Sequence, residues 1–411
     1  MNAGPPRISK RLAALVAPLA VFGSLVAILG ATGSEQPASG STGSAELKAR
    51  AAKQLARVQS GGGLGLYARA ADGYSRALER SPGDVEAATG LAAATLGQHR
   101  FRRGLRLAQA AQGLEPASVG PLPTVIDGLV EAGRYPAAAR ASDRLARLKP
   151  GVAAYSRIAY LRELQGDLAG AVRALRLARG AAAANPPAIA FASALLGELE
   201  MDRGRYGRAK AEFRAALVAV PGFRAAREGL AHLLAARGRY GAAIRAYRAL
   251  TRDGRADPPA SLAAIEAHVG LDGAAERHVE LARRRFAAEL DAGMRVDAGA
   301  VRFVADYGSP RRAVALGRGV WRRAPSVTSA DAYAWALSAA GRHRAALRLS
   351  REALATGWSD PEALFRAGAV SFEAGADRRA EELLSTALRR SPRFHGVDAP
   401  RAREMLAALR G

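Results

Sequence analysis

Apolar residues recur at three- and four-residue spacing along most of the chain, as in Ala209, Phe213, Ala216 and Leu217, and apolar–polar alternation is absent. This pattern predicts helices throughout and no strands. The helical stretches are punctuated by a recurring motif: Gly133-Arg-Tyr135-x-x-Ala138, Gly204-Arg-Tyr206-x-x-Ala209 and Gly238-Arg-Tyr240-x-x-Ala243, the last two 34 residues apart. Weaker copies start at Gly65, Gly166, Gly341 and Gly375, and Pro82, Pro116 and Pro150 also fall 34 residues apart. Each unit therefore predicts a helix, a turn at the Gly, a second helix and a Pro. Gly suits the left-handed position that ends a helix. The small Ala lets two helices approach closely, and Pro stops the second helix.

These residues resemble the tetratricopeptide repeat (TPR) family, whose building block is a 34-residue helix pair. The helix-A signature is clearest at Leu196-Gly197 and weaker at Leu230-Ala231 and Leu91-Ala92; Tyr155 fits the family's aromatic position, where other units carry Ser193, Arg227 or Ala88. The resemblance implies an all-α fold: a right-handed α-solenoid of about nine to ten TPR helix pairs. The units fall near 51–84, 85–118, 119–151, 152–189, 190–223, 224–255, 256–293, 294–326, 327–360 and 361–392. Gly61-Gly62-Gly63 should break the first helix A early, and Met405, Leu406 and Leu409 fit a terminal capping helix.

Ahead of the repeats, Leu12 to Ala31 holds no charged residue and follows Arg7, Lys10 and Arg11. Twenty residues at about 1.5 Å each span about 30 Å, enough to cross a bilayer. The basic flank places the N-terminus in the cytoplasm and the body across the membrane. Ala31-Thr32-Gly33 is a weak small-x-small site, so the segment reads as a retained anchor or a cleaved signal. The expected organisation is a signal anchor or signal peptide at 1–33, a flexible linker at 34–44, the solenoid at 45–392 and a capping helix at 393–411. A single-pass cell-membrane location follows for the anchored form, and secretion for the cleaved form.

Charge changes the picture. The chain carries 61 Lys plus Arg against 37 Asp plus Glu, a net +24, and only five of the basic residues are Lys. The resemblance implies that helix A of each pair lines a concave groove and helix B the convex outside. The helix-A segments are together slightly acidic, and the helix-B segments and loops hold nearly the whole basic excess. The convex basic face includes Arg102, Arg103, Arg283, Arg284, Arg311, Arg312, Arg322 and Arg323. It reads either as a solvated surface or as one that meets a polyanion such as anionic lipid or wall polymer. Nucleic acid fits poorly, because aromatics are not interleaved with the basic residues.

In the groove, Asp127, Tyr160, Glu163, Phe191, Glu198, Asp202, Glu228, His232, Trp335, Phe365, Phe372 and Glu373 are candidates for holding a peptide or partner protein with Lys or Arg side chains. Packing between repeats is the competing role for each aromatic, and solvation for each acid. Chemistry is not expected. With no Cys there is no thiol nucleophile or thiolate metal site, and no two of the six His have the i, i+4 spacing of a helical metal site. No phosphate-binding or nucleophile-elbow motif occurs in a strand–turn–helix context. The reading is a non-enzymatic binding scaffold with no catalytic residues, cofactor or metal.

Overall fold

The computed structural model describes residues 42–59, 63–255 and 257–411. The apolar segment 12–31 and residues 34–41 of the expected linker lie outside the described residues. Among those described, no helix is long and apolar enough to cross a membrane.

Among the described residues every long element is an α-helix. Ten successive pairs are formed by α1 (Thr42–Gln59) and α2 (Leu66–Arg80), α3 (Val85–Gly97) and α4 (Phe101–Leu114), α5 (Leu122–Glu131) and α6 (Tyr135–Leu148), α7 (Val152–Leu164) and α8 (Leu168–Ala181), and α9 (Pro186–Asp202) and α10 (Tyr206–Ala219). Then come α11 (Arg224–Ala236) and α12 (Tyr240–Leu250), α13 (Asp257–His268) and α14 (Asp272–Asp291), α15 (Ala298–Tyr307) and α16 (Pro310–Arg323), α17 (Val327–Ala339) and α18 (His343–Leu354), and α19 (Pro361–Glu373) and α20 (Asp377–Arg390). A final helix, α21 (Asp398–Arg410), closes the chain. The α-solenoid expected from the 34-residue period is the observed fold.

The motif residues act largely as their chemistry dictates. Gly133, Gly204 and Gly238 end their A helices with φ of +68°, +67° and +71°, where a β-carbon is disfavoured. Ala138, Ala209 and Ala243 are wholly buried at the closest approach of their pairs. Gly65 departs from the pattern: its φ is −59° and it leads into α2 rather than ending a helix. The first pair also differs from expectation. α1 starts at Thr42, inside the stretch expected to be linker, and runs as a full helix to Gln59. In the fifth pair α9 starts at Pro186, ahead of the expected boundary at 190, with Asn185 accepting from the Ala188 amide as its cap.

The solenoid does not stay open. It winds until its second turn stacks on its first, through contacts that span 156 to 196 residues. His99 Nδ1 meets the Arg295 carbonyl across 196 residues, the Val327 amide donates to Tyr135 Oη across 192, and Tyr206 Oη meets Ser391 Oγ across 185. Gly166 (φ +77°) belongs to the same seam: a β-carbon there would lie 2.4 Å from the Gly357 carbonyl oxygen. The Tyr of the repeat motif is thus more than turn punctuation. Tyr135 and Tyr206 anchor one superhelical turn to the next, and Tyr240 donates to the Gly396 carbonyl at 2.9 Å.

One outcome follows. Tyr206 Oη accepts from the Arg393 amide at 2.8 Å and also engages Ser391. Tyr206→Phe should therefore cost about 1–2 kcal/mol, because a neutral hydrogen bond contributes about 1 kcal/mol and an orphaned amide costs more. Hydrogen exchange should speed up selectively at residues 391–394, while α10 itself stays protected.

The stacking closes the groove. Pro258 to Glu266 of α13 and Pro361 to Ser371 of α19 are buried without interruption, so these A helices present no open face. The B helices bury one stripe each, as in Gly104, Leu105, Ala108 and Ala111 of α4. The segment expected only to cap the end also bridges the turns. Val397 packs with Ala231, Ala235, Ile244 and Leu262 of the first turn.

Candidate functional site

What remains of the groove is an axial cavity of about 90 Å³, lined mainly from α7, α9 and α11 on one side and from the start of α19 and the loop before α21 on the other. At about 10–15 Å³ per water, it has room for roughly half a dozen. Tyr160, Glu163, Glu198, Asp202, Glu228 and His232 of the candidate set converge on it, joined by Asp360, Glu362, Phe394 and His395. The six carboxylates come from four elements, and no Arg or Lys is among the lining residues. Two of the six have cationic partners outside the lining: Glu228 meets Arg224 at 3.1 Å, and Glu362 meets Arg366 at 3.5 Å.

So many acids in so little water cannot all ionise at neutral pH. Burial first, then the charge of Asp360, pushes Glu163 up to about 8. Burial, followed by Glu228, Glu163 and Glu362, brings Glu198 to about 8 as well. Asp202 is raised well above the carboxylate range by burial and then by Asp360. Burial also pushes Asp360 up to about 6, despite Arg366 and the Ala363 amide. His232 moves the other way, down to about 4, because burial and the neighbouring His395 both disfavour its cation.

The remaining candidates lie elsewhere. Asp127 is taken up by Arg157, whose Nε and Nη2 donate to its two oxygens at 2.9 and 2.8 Å. Phe191 is buried among Leu168, Leu175 and Leu195. Trp335 is buried and its indole N–H donates to Asp306 at 2.7 Å. Phe365 is wholly buried against Phe394, beneath the Arg401 guanidinium. These four were expected to face a partner; the structure places the three aromatics in packed clusters and Asp127 in an ion pair. Phe372 is half-buried at the edge of that cluster, and Glu373 is exposed but does not line the cavity.

Of the outward set, Arg102, Arg103, Arg283, Arg284, Arg311, Arg312, Arg322 and Arg323 are all exposed. Arg283 pairs with Glu280, and Arg323 Nη2 reaches the Val296 carbonyl at 3.4 Å.

Sequence reasoning missed Asp360, Glu362 and His395, because they enter the cavity only through the second turn. It also expected no metal-binding cluster. The structure brings His232, Glu362 and His395 together, with their ligand atoms within 4.8 Å of one another. His232 and His395 are too far apart in sequence for any spacing rule to pair them.

Residues 195–261 match the tetratricopeptide repeat family, across the α9–α12 pairs and into α13. This segment is a tetratricopeptide repeat segment. No curated protein matches the chain. Among solved structures it is similar to TTC0263, a thermophilic TPR protein of Thermus thermophilus, at 21% identity and a TM-score of 0.41 over 46% of this chain and 98% of that one. It is also similar to a chain of the APC/C hetero-tetramer Cut9–Hcn1, at 16% identity and a TM-score of 0.43 over 89% of this chain and 76% of that one. The TPR fold is that of a protein–protein interaction scaffold.

Proposed function

We propose that this TPR protein is a non-enzymatic scaffold, displayed outside the cytoplasm on its N-terminal segment, that meets an acidic protein partner through the arginine rows of its outer helices. The observation that carries the reading is the closed groove. With α13 and α19 buried along their length, an extended peptide has no trough to lie in, whereas Arg102, Arg103, Arg311, Arg312 and Arg322 stand exposed on B helices. Like-charged rows of this kind steer an oppositely charged partner and set its register more than they add raw affinity. The apolar stretch 12–31 supports display: anchored to the membrane if retained, secreted if cleaved at Ala31–Gly33.

Photo-cross-linking residues placed in the full chain at Arg102, Arg311 and Arg322, and separately at Phe372, test this in intact cells. One acidic protein should be captured from the three outer positions. Arg311→Glu with Arg312→Glu and Arg322→Glu should weaken its binding about tenfold or more, and the wild-type affinity should fall steeply with salt. Capture from Phe372 alone would return the interaction to the groove. Binding to anionic vesicles in place of any protein would assign the arginine face to lipid.

A further inference from the structure

Three imidazole nitrogens inside the axial cavity have no visible task. His232 Nε2 and both ring nitrogens of His395 are buried and make no hydrogen bond among the described residues. The two rings meet edge to face with centroids 4.9 Å apart, and the Glu362 carboxylate completes a set whose ligand atoms all lie within 4.8 Å. His395 is 1% exposed and Glu362 8%. We propose that His232, Glu362 and His395 bind a divalent transition ion of the zinc class, which staples the two superhelical turns together at the axis.

The donor set fits such an ion. Two imidazoles and one carboxylate, with no thiolate, form a three-ligand zinc set whose fourth position stays open, here toward the cavity. Ligand atoms sharing a zinc at about 2.1 Å stand roughly 3.4 Å apart. Side-chain movement of about an ångström therefore completes the site. His395 Nδ1 lies 2.7 Å from Asp398 Oδ2, at ion-pair distance but without the geometry of a hydrogen bond. None of the residues lining the cavity is Lys or Arg to oppose a dication.

The backbone is arranged to present the ligand. His395 has φ +38°, a left-handed conformation that residues other than Gly rarely adopt. It is held there by the Asp398 amide donating to its carbonyl at 2.8 Å, and by Gly396 packing directly on Ala235 of α11. The three ligands come from the first turn (α11), the start of α19, and the loop before α21. A bound ion would therefore lock three elements that are distant in sequence.

The test uses the full chain, stripped with a chelator and titrated with Zn²⁺ and, separately, Co²⁺. One ion per chain should bind, Co²⁺ should show the visible absorption bands of a low-coordinate site, and Zn²⁺ should raise the melting temperature. His232→Gln and Glu362→Gln should each weaken binding by about 100-fold or more and abolish both signals, while the double variant His268→Gln with His343→Gln should leave them intact. Circular dichroism of the metal-free variants separates loss of binding from loss of fold, and a variant that folds but still binds Co²⁺ with wild-type spectrum and affinity overturns the site. So does a wild-type chain that binds Zn²⁺ no more tightly than the His232→Gln chain.

Discussion

Asp331→Ala should be among the most destabilising single changes in this protein, costing about 3–5 kcal/mol. Asp331 of α17 accepts from Arg366 Nε through both oxygens, at 3.0 and 2.8 Å, and pairs with Arg302 Nη1 at 3.4 Å. Both guanidiniums are about as buried as any side chain here, at 1% and 2% exposure. Removing the carboxylate leaves two like charges facing each other in the core, with Glu362 at 3.5 Å from one of them. A broken buried ion pair costs this much because the survivor stays desolvated. Burial pulls Arg302 downward, followed by the neighbouring Arg366 charge, which is the repulsion that Asp331 offsets. In a solenoid, units contact mainly their neighbours, so the damage should spread locally. Hydrogen exchange should accelerate across α15, α17 and α19, less so in α5 and α6 stacked on them, and spare α1 and α2. The triple change Arg302→Met, Asp331→Leu, Arg366→Met should recover most of the loss, since apolar replacement of a whole buried network is often neutral. If Asp331→Ala melts within about 1 °C of wild type, where a loss of this size should shift a domain by several degrees, the three side chains are solvated rather than enclosed.

The helix pairs were legible in the sequence because each is written by local signals: a Gly at positive φ, a buried Ala three residues after the motif Tyr, and a helical apolar period. Gly204, Tyr206 and Ala209 each carry their message within six residues. The closing of the superhelix was not legible. It depends on small rotations between successive pairs adding up over the 156 to 196 residues that separate the contacting segments. No single residue encodes that sum, so the groove was expected to be open and its aromatics free. Trp335 shows the consequence. Its position on helix A marks it as inward-facing, which is correct, but inward in a closed superhelix means packed, with its N–H on Asp306. The acids fared better, since Glu163, Glu198 and Asp202 face the axis whether or not a second turn arrives. Their partners Asp360, Glu362 and His395 were invisible for the same reason as the closure. The motif Tyr was recognised as a repeat mark; that its hydroxyl crosses to the opposite turn could be read only from the structure.

The axial carboxylates make stability depend on pH in a direction opposite to that of most acids. Glu163 and Glu198 titrate near 8 in the folded chain and near 4.5 when unfolded. Between those values the folded state holds protons that the unfolded state has lost, so stability falls as pH rises. It is fully present below about pH 4.5 and lost as pH passes through about 8. Each group contributes up to about 1.4 kcal/mol per pH unit inside that window. The two are not independent, because Glu163 raises Glu198, and both face Asp360, Asp202, Glu228 and Glu362 across the cavity. The total expected loss from about pH 5.5 to about 8.5 is therefore several kcal/mol, short of the simple sum. Glu131, pushed up to about 7 by burial and then by Asp127, acts in the same sense near the α5–α17 seam. Chemical denaturation of the full chain in excess chelator, which keeps any divalent ion from competing with protons, should show the midpoint dropping as pH rises. Glu163→Gln with Glu198→Gln should be the more stable chain at about pH 8.5 and nearly indifferent at about pH 5. Since these side chains sit where the second turn closes on the first, small-angle scattering should also show the wild type expanding at alkaline pH and the Gln variant holding its radius. A flat pH profile for the wild type, or one rising with pH, would mean that water reaches these carboxylates freely and that the turns are not stacked at the axis.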